Sequence, residues 1–512
     1  MLIKIEEELN RFNTKTYSII FLICTISIII KIYFALGIHA PTPDLLVYLI
    51  EATKFSNGEL EIGNRFVWPL FLSIFFNLFN FDTLIDYANL MKVISISIST
   101  ISIPIIFLIS KKIIGRNWAL VTAFLYAIEP NIIENSTFAI KEPMFILLGL
   151  ISIYFILHEN KKLILLSFLF AGLAFDTKII GISIFVIIIL SCILRIKNKK
   201  ELVKILSIGI LIFVVVSSTF FVLPLFDEKI PILYQFSGVD KVISGEVQFT
   251  STYSENEEST TENILKKSML KEFLHLLRIS FPILFIFSIY GFYLLIKKIN
   301  YENKVVIISL ITSYIFAFPI YLLSAEFRNL FFITPFLCIL STLAIKKLYE
   351  KIKFKNIFLV ILLTTLFIIS LVFLIEQFTI DNELFHEKEK MSKFIIENFS
   401  GNFMGNMYGD LSLKIENPNL GDPNLNEPHI FNQKIGLVVA SFPVDSKEKL
   451  VELIKIKKID YLIIDNNYDI RYHIFKDINK NDLDFPFLKK ILDSKDLGYN
   501  KLNVKIFKII LE

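Results

Sequence analysis

YSIIFLICTISIIIKIYFAL, residues Tyr17–Leu36, is followed at Pro41–Leu70 by PTPDLLVYLIEATKFSNGELEIGNRFVWPL. The first run is apolar over about twenty residues, enough for a helix to cross a hydrocarbon layer about 30 Å thick. Lys4, Arg11 and Lys15 precede it, but it is longer than a secretory h-region and has no small-residue cleavage pattern, so it reads as a retained first span. The second run is where polar residues return, and it carries one isolated acid, Asp44. A carboxylate at the mouth of a membrane bundle suits general-base chemistry at the bilayer surface, and it suits a helix cap equally well.

The rest of the chain repeats this alternation. Of 512 residues 54% are hydrophobic, and the mean hydropathy is +0.61, which with long uncharged runs indicates a polytopic membrane protein rather than a soluble globule. Apolar runs recur at roughly 17–36, 87–109, 117–128, 143–157, 163–175, 179–194, 202–225, 279–296, 305–323, 330–345 and 357–375, about eleven spans with several short ones. Bases collect in the loops after every second span: Lys111, Lys112 and Arg116; Lys161 and Lys162; Arg195, Lys197, Lys199 and Lys200; Lys297, Lys298 and Lys304; Lys346, Lys347, Lys351, Lys353 and Lys355. The positive-inside rule makes these loops and the N-terminus cytoplasmic, and the Ile-, Lys- and Asn-rich usage, as of an AT-rich prokaryote or archaeon, suggests a plasma membrane. The alternate, extracytoplasmic loops then hold Asp44, Glu129, Glu142, Asp176 with Lys178, and Glu326 with Arg328.

The expected fold is a polytopic α-helical membrane protein with a small C-terminal extracytoplasmic α/β domain. Residues 1–380 form the transmembrane domain, with a first outer loop at 37–86 and a large outer loop at 226–277 that contains YSENEESTTEN. Residues 381–512, where Gly, Pro, Asn and charge return, form the soluble domain. Its pattern predicts helices near 388–398 and 446–458 and strands at Leu437–Phe442, Tyr461–Asp465 and Val504–Leu511.

Each outer polar residue has a structural reading beside a functional one. Thr42-Pro43-Asp44 reads as a helix start, with Leu45, Tyr48, Leu49 and Ala52 at helical spacing on an amphipathic helix at the interface. Glu129 closes a span before Pro130, where the helix dipole opposes an acid, which suits an exposed loop residue. Glu142 precedes Pro143 at a span start. Asp176 and Lys178 straddle a tight turn and can pair, or Lys178 can snorkel. Arg328 can hold a phosphate bidentately or anchor at the interface. Asn135-Ser136-Thr137 and Asn398-Phe399-Ser400 match the short glycosylation acceptor pattern.

Other chemistries find no support. The formal net charge of +4 gives no nucleic-acid signal. Cys24, Cys192 and Cys338 are scattered in apolar runs, against a disulfide framework or thiolate metal site. No Gly-rich phosphate loop, HExxH pair or Gly-x-Ser-x-Gly elbow occurs, and His39 beside Asp44 is not a metal site by itself.

The ordered set of motifs resembles the GT-C superfamily of membrane glycosyltransferases, in the dolichyl-phosphate-mannose protein mannosyltransferase and aminoarabinose transferase branch. The resemblance covers about residues 17–345. It runs through Asp44, Tyr48, Ala52, Gly58, Arg65 and Trp68-Pro69-Leu70, then KKIIGRNWALVTAFLYAIEPNIIENSTFAIKEP ending beside Glu142, then GLAFDTKIIG and EFRNLFFITPFL. Asp44 is followed by Leu45 where the family has Glu, so a second carboxylate must come from Glu129 or Glu142, and Arg328 is followed by Asn329 rather than Tyr. The tail lacks the Trp-Trp-Asp motif of oligosaccharyltransferases.

The resemblance implies transfer of a single mannose-like sugar, with inversion, from a polyprenyl- or dolichyl-phosphate donor to an extracytoplasmic hydroxyl on a protein, lipid or glycan. It implies Asp44 and Glu142 as catalytic carboxylates, Lys178 and Arg328 as cations for the donor phosphate, and Arg65, Glu129 and Asp176 in support. No cofactor is required; a divalent metal is compatible with Glu142 but not indicated. The rival reading is a transporter or lipid flippase, which would show inverted repeats and midplane charges; no repeat is found here.

Overall fold

The computed structural model describes residues 14–37, 43–58, 67–79, 81, 83–217, 282–324, 327–405, 407, 411, 429–432, 436–439, 446–465, 474, 478 and 485–511. Thr42, Arg65, Glu326, His39 and the 226–277 loop lie outside the described residues.

The helices in chain order are α1 (Thr14–Gly37), α2 (Pro43–Ser56), α3 (Val67–Phe76), α4 (Leu84–Ile114), α5 (Arg116–Ala127), α6 (Pro130–Thr137), α7 (Glu142–Ile156), α8 (Lys161–Thr177), α9 (Ile182–Arg195), α10 (Lys199–Val216), α11 (Pro282–Lys297), α12 (Tyr301–Ser324), α13 (Thr334–Lys351) and α14 (Lys355–Asn398). Tight 3-10 turns, Ile179–Gly181 and Phe327–Ile333, lead into α9 and α13. Among the described residues, Thr14–Leu36, Leu84–Ile114, Arg328–Lys351 and Lys355–Glu376 are long and apolar enough to cross a bilayer. Shorter apolar helices stand at α3, α7, α9 and α11.

Local chemistry sets where these helices begin. Thr83 caps α4: its Oγ1 accepts from the Asp86 N–H at 3.4 Å and donates to Asp86 Oδ2 at 2.6 Å. Asn160 and Asn198 cap α8 and α10 through their side-chain oxygens. On α1, Phe21, Leu22, Ile29, Tyr33 and Leu36 are exposed, as on a lipid-facing helix. Lys31 instead turns inward, fully buried, and donates to Ser99 Oγ of α4 at 2.8 Å, which pins the two helices in register.

Helix packing relies on one very close approach. Gly291 of α11 lies against α13, where an added Cβ would stand 1.9 Å from the Leu340 carbonyl oxygen. Ser341 Oγ of α13 donates to the Leu284 carbonyl of α11 at 2.7 Å, so small residues bring the two backbones together. At the far end of α7, the Arg195 guanidinium donates to the carbonyls of Ile156 at 2.7 Å and Leu157 at 3.4 Å and stacks over the Tyr301 ring. These donors satisfy carbonyls that the helix end leaves unpaired.

The C-terminal part holds helix α15 (Lys447–Lys457) and strands β1 (Phe403–Gly405), β2 (His429–Asn432), β3 (Gly436–Val439), β4 (Tyr461–Asp465), β5 (Leu488–Asp493) and β6 (Val504–Ile509). They form one sheet in the order β2-β3-β1-β4-β6-β5. The three central strands β3, β1 and β4 are parallel and the outer pairings antiparallel. Strand β4 stands where its pattern predicts and β3 begins within one residue of its expected start, the expected end at Phe442 lying outside the described residues, while β1, β2 and β5 were not expected from the sequence. Strand β1 has only three residues, and β5 carries an irregularity between Lys490 and Leu492 that breaks its alternation.

Helix α14 runs unbroken over 44 residues, so it passes through residue 380, where the sequence divides into membrane and soluble parts, and absorbs the helix expected at 388–398. Leu45, Tyr48 and Leu49 of α2 and Trp68, Leu72 and Phe76 of α3 share one core with Met391 and Ile395 of α14 and with Phe403, Val438, Ile463 and Val504 of the sheet. The helical spacing on α2 is as expected, but its apolar face is buried against protein rather than lying at an interface. Further along α14, Glu387 clasps the loop before β6, its carboxylate accepting from the N–H groups of Asn500 at 2.9 Å, Lys501 at 2.8 Å and Leu502 at 2.6 Å.

Two outcomes follow from this packing. Gly291→Ala is expected to lower the thermal midpoint of the detergent-solubilised protein and Gly291→Val to prevent its recovery, since overpacking costs about 1–3 kcal/mol or more; an unchanged midpoint for the Ala variant would remove the close approach as a constraint. Partial burial raises the Glu387 carboxyl, but the three N–H donors more than offset this and hold it below the usual carboxylate range. The clasp's contribution is therefore present at neutral pH and lost as pH falls through that lowered value, on the acid side of the usual glutamate range. The protection of amides 500–502 against hydrogen exchange, relative to their intrinsic rates, should be lost in that window, and Glu387→Gln should produce the same loss of protection at pH 7.

Candidate active site

Helix α2 opens at Pro43, whose fixed φ suits a first helical turn, and Asp44 stands in that turn. The core around Leu45, Tyr48 and Leu49 fixes the helix, so Asp44 is presented by a rigid element. Arg328 comes from the 3-10 turn, whose Leu330, Phe331, Phe332 and Ile333 are all buried and anchor it. Arg328 Nη1 donates to Asp44 Oδ2 at 2.5 Å, and both side chains keep 26% of their surface exposed, so the pair is open to a ligand.

A second ion pair lies behind the first. Lys178 Nζ donates to Glu142 Oε1 at 3.0 Å, with the two side chains 9% and 3% exposed. The same ammonium donates to the main-chain carbonyl of Arg328 at 3.3 Å, which ties the buried pair to the exposed one. Lys178 is placed by the tight turn after α8, where Gly181 packs so closely that a Cβ would lie 2.6 Å from the Ala174 carbonyl carbon. Glu142 Oε2 is buried with no hydrogen-bond partner among the described residues. The site thus has an exposed carboxylate on a guanidinium, backed by a carboxylate with an unused acceptor, and it can engage both a hydroxyl and an anion.

The remaining candidates fall elsewhere. Lys178 pairs with Glu142, not with Asp176; Asp176 is buried at the end of α8. Glu129 is fully buried rather than an exposed loop residue. It is the N-cap of α6, Oε2 accepting from the Ile132 N–H at 2.9 Å and Oε1 from the Asn131 side chain at 3.1 Å. Its sequence signal was Pro130, which begins a new helix as much as it ends an old one. The Asn135 amide is likewise buried and donates to the Asn131 carbonyl, so that glycosylation pattern is not displayed. Arg65 lies outside the described residues.

Lys141 was missed. It precedes Glu142, and its Nζ lies 5.9 Å from the centroid of the Tyr48 ring, one turn along α2 from Asp44. The available signal was a base in a loop that the positive-inside pattern assigns to the other side. Lys178, Arg328 and Lys141 all act electrostatically on Glu142.

Residues 66–222 match the family model of dolichyl-phosphate-mannose-protein mannosyltransferase. No curated protein matches the chain by sequence. ArnT from Cupriavidus metallidurans in the apo state is similar in structure, with TM-score 0.57 and 12% identity over 97% of this chain and 98% of that one. The same protein bound to undecaprenyl phosphate gives TM-score 0.57 and 12% identity over 95% and 97%. The Archaeoglobus fulgidus oligosaccharyltransferase in the apo form gives TM-score 0.54 and 10% identity over 88% of this chain and 69% of that one. The chain has the fold of these proteins, and the match over residues 66–222 agrees with the resemblance to the dolichyl-phosphate-mannose protein mannosyltransferases.

Proposed function

We propose that the protein is a membrane glycosyltransferase that moves one sugar from a polyprenyl phosphate to an acceptor hydroxyl on the extracytoplasmic side. The observation that carries this reading is the linkage of Asp44–Arg328 to Glu142–Lys178 through the Arg328 carbonyl. The family match favours a mannose-like sugar on a dolichol-type carrier. The acceptor class, whether protein, lipid or glycan, follows only from assay. The N-terminus is cytoplasmic and the soluble domain extracytoplasmic on this reading, which places Asp44 on the outer surface.

The chemistry is a single displacement. The acceptor oxygen bonds to the anomeric carbon as the bond from that carbon to the phosphate oxygen breaks, and the electron pair leaves with the lipid phosphate. The hydroxyl proton passes to Asp44, which needs to lie within hydrogen-bond reach of it. One face of the sugar is attacked and the other departs, so configuration inverts. Arg328 orients Asp44 through Nη1, and a guanidinium's five donors allow it to hold an anion as well. Lys178 and Glu142 fix Arg328 from behind. No step is assigned to a metal, the cationic work falling to Arg328 and Lys178.

The decisive experiment offers the purified full chain a panel of polyprenyl-phosphate sugars and follows acceptor mass by mass spectrometry. Asp44→Asn is expected to reduce transfer by about 100-fold or more, the usual contribution of a general base; wild-type rates in that variant would overturn the mechanism, and solute flux without any glycosylated product would overturn the function.

The buried pair separates stability from chemistry. Lys178→Met or Glu142→Gln alone breaks the pair, at a cost of about 3–5 kcal/mol where a charge is left buried and unpaired. The double variant should recover most of the lost thermal stability but not the transfer activity. Full activity in the double variant would reduce the pair to a packing role.

A further inference from the structure

We propose that Asn398 is an N-glycosylation site, its side-chain amide taking an oligosaccharide from a polyprenyl-linked donor through a separate membrane transferase that reads Asn-X-Ser/Thr. The inference goes beyond the proposed transfer and shares with it only the extracytoplasmic placement of the C-terminal part. The chain contains the acceptor pattern twice, at Asn135-Ser136-Thr137 and at Asn398-Phe399-Ser400. An acceptor has to enter another protein's active site with its amide and the hydroxyl two residues on presented together. The fold around each pattern therefore decides which of them can serve.

The first pattern is closed off. Asn135, Ser136 and Thr137 are all buried in α6, and the Thr137 hydroxyl donates back to the Glu134 carbonyl at 2.7 Å. The second is built the other way. Asn398 is the last residue of α14, and Phe399 after it has φ −127 and ψ 148, an extended conformation. Alternate side chains of an extended chain point to opposite sides. The Phe399 ring turns inward, edge-on to Phe394 at 6.2 Å and to Tyr461 at 5.5 Å between centroids. Asn398 and Ser400 therefore project together on the outer side, and both are exposed. Asn398 Nδ2 donates to the Phe394 carbonyl at 2.8 Å at this exposed surface, which engages one of the amide's two N–H bonds. The sheet begins only at Phe403, so Phe399 and Ser400 lie between the helix and the ladder.

The distance from the membrane fits as well. The apolar part of α14 ends at Glu376, and the same unbroken helix runs 22 residues further to Asn398, about 33 Å along its axis at 1.5 Å per residue. The headgroup layer is only about 5–8 Å deep on each side, so a bulky sugar chain on Asn398 meets neither lipid nor the helix bundle. In the transfer, Nδ2 bonds to the anomeric carbon of the donor sugar as the bond from that carbon to the lipid phosphate oxygen breaks. The electron pair stays on the phosphate, and Nδ2 gives up one proton to the transferase.

The test uses the full chain in its native membrane. Intact cells are treated with a membrane-impermeant amine-acylating reagent, and the purified protein is digested and mapped by mass spectrometry. Peptides containing Asn398 should carry a glycan mass on that residue. Lys393, five residues earlier with its side chain 59% exposed, should be acylated in the same sample. Ser400→Ala should lose the glycan and Ser400→Thr should keep it. An unmodified Asn398 in protein whose Lys393 is acylated, or a glycan that survives Ser400→Ala, would overturn the inference. Acylation of Lys393 only after the cells are lysed would instead overturn the extracytoplasmic placement, and this site with it.

Discussion

The Lys178 ammonium is shared between the Glu142 carboxylate and the Arg328 carbonyl, and the arrangement of the site depends on that division. Burying a carboxylate without a partner is costly, so Glu142 requires a cation, and the tight turn after α8 delivers one. Because the same group grips the Arg328 main chain, the arginine reaches toward Asp44 from a fixed backbone. The side chain itself is ordered by its ion pair with Asp44.

The helical architecture was legible because membrane helices must satisfy their backbone internally and advertise themselves as apolar runs. The positive-inside asymmetry separated the loops bearing Asp44, Glu142, Lys178 and Arg328 from the basic ones, and the fold brings these four residues together. Their pairing was not legible. Asp176 is two residues from Lys178 and Glu142 is 36 away in sequence, yet Asp176 is still on the helix while Lys178 is its C-cap with extended backbone, so the two side chains diverge and the distant acid is the partner. Periodicity states which face a residue occupies and not which element arrives there.

The other misreadings have the same origin. Glu129 carries the signals of a helix end and of a helix start at once, and only the direction of the chain after Pro130 decides between them. The spacing of Leu45, Tyr48, Leu49 and Ala52 is what an interfacial helix and a buried helix have in common, so the pattern could not say that a sheet more than 350 residues later would cover it. Strand β1 is too short to show alternation, and it becomes a strand because β3 and β4 flank it on both sides.

Helix α14 gives this arrangement a mechanical character. Its apolar part, Lys355–Glu376, spans about 33 Å at 1.5 Å per residue, close to the thickness of a bilayer, and the same rod continues without a break to the sheet. A thinner or thicker membrane acts on such a segment by tilting it, and a tilt at one end of a stiff helix is a displacement at the other. The sheet receives that displacement through Met391 and Ile395 and shares its core with α2, the helix that bears Asp44. The lipid environment is thereby connected to Asp44, the proposed base, by packed protein along the whole route.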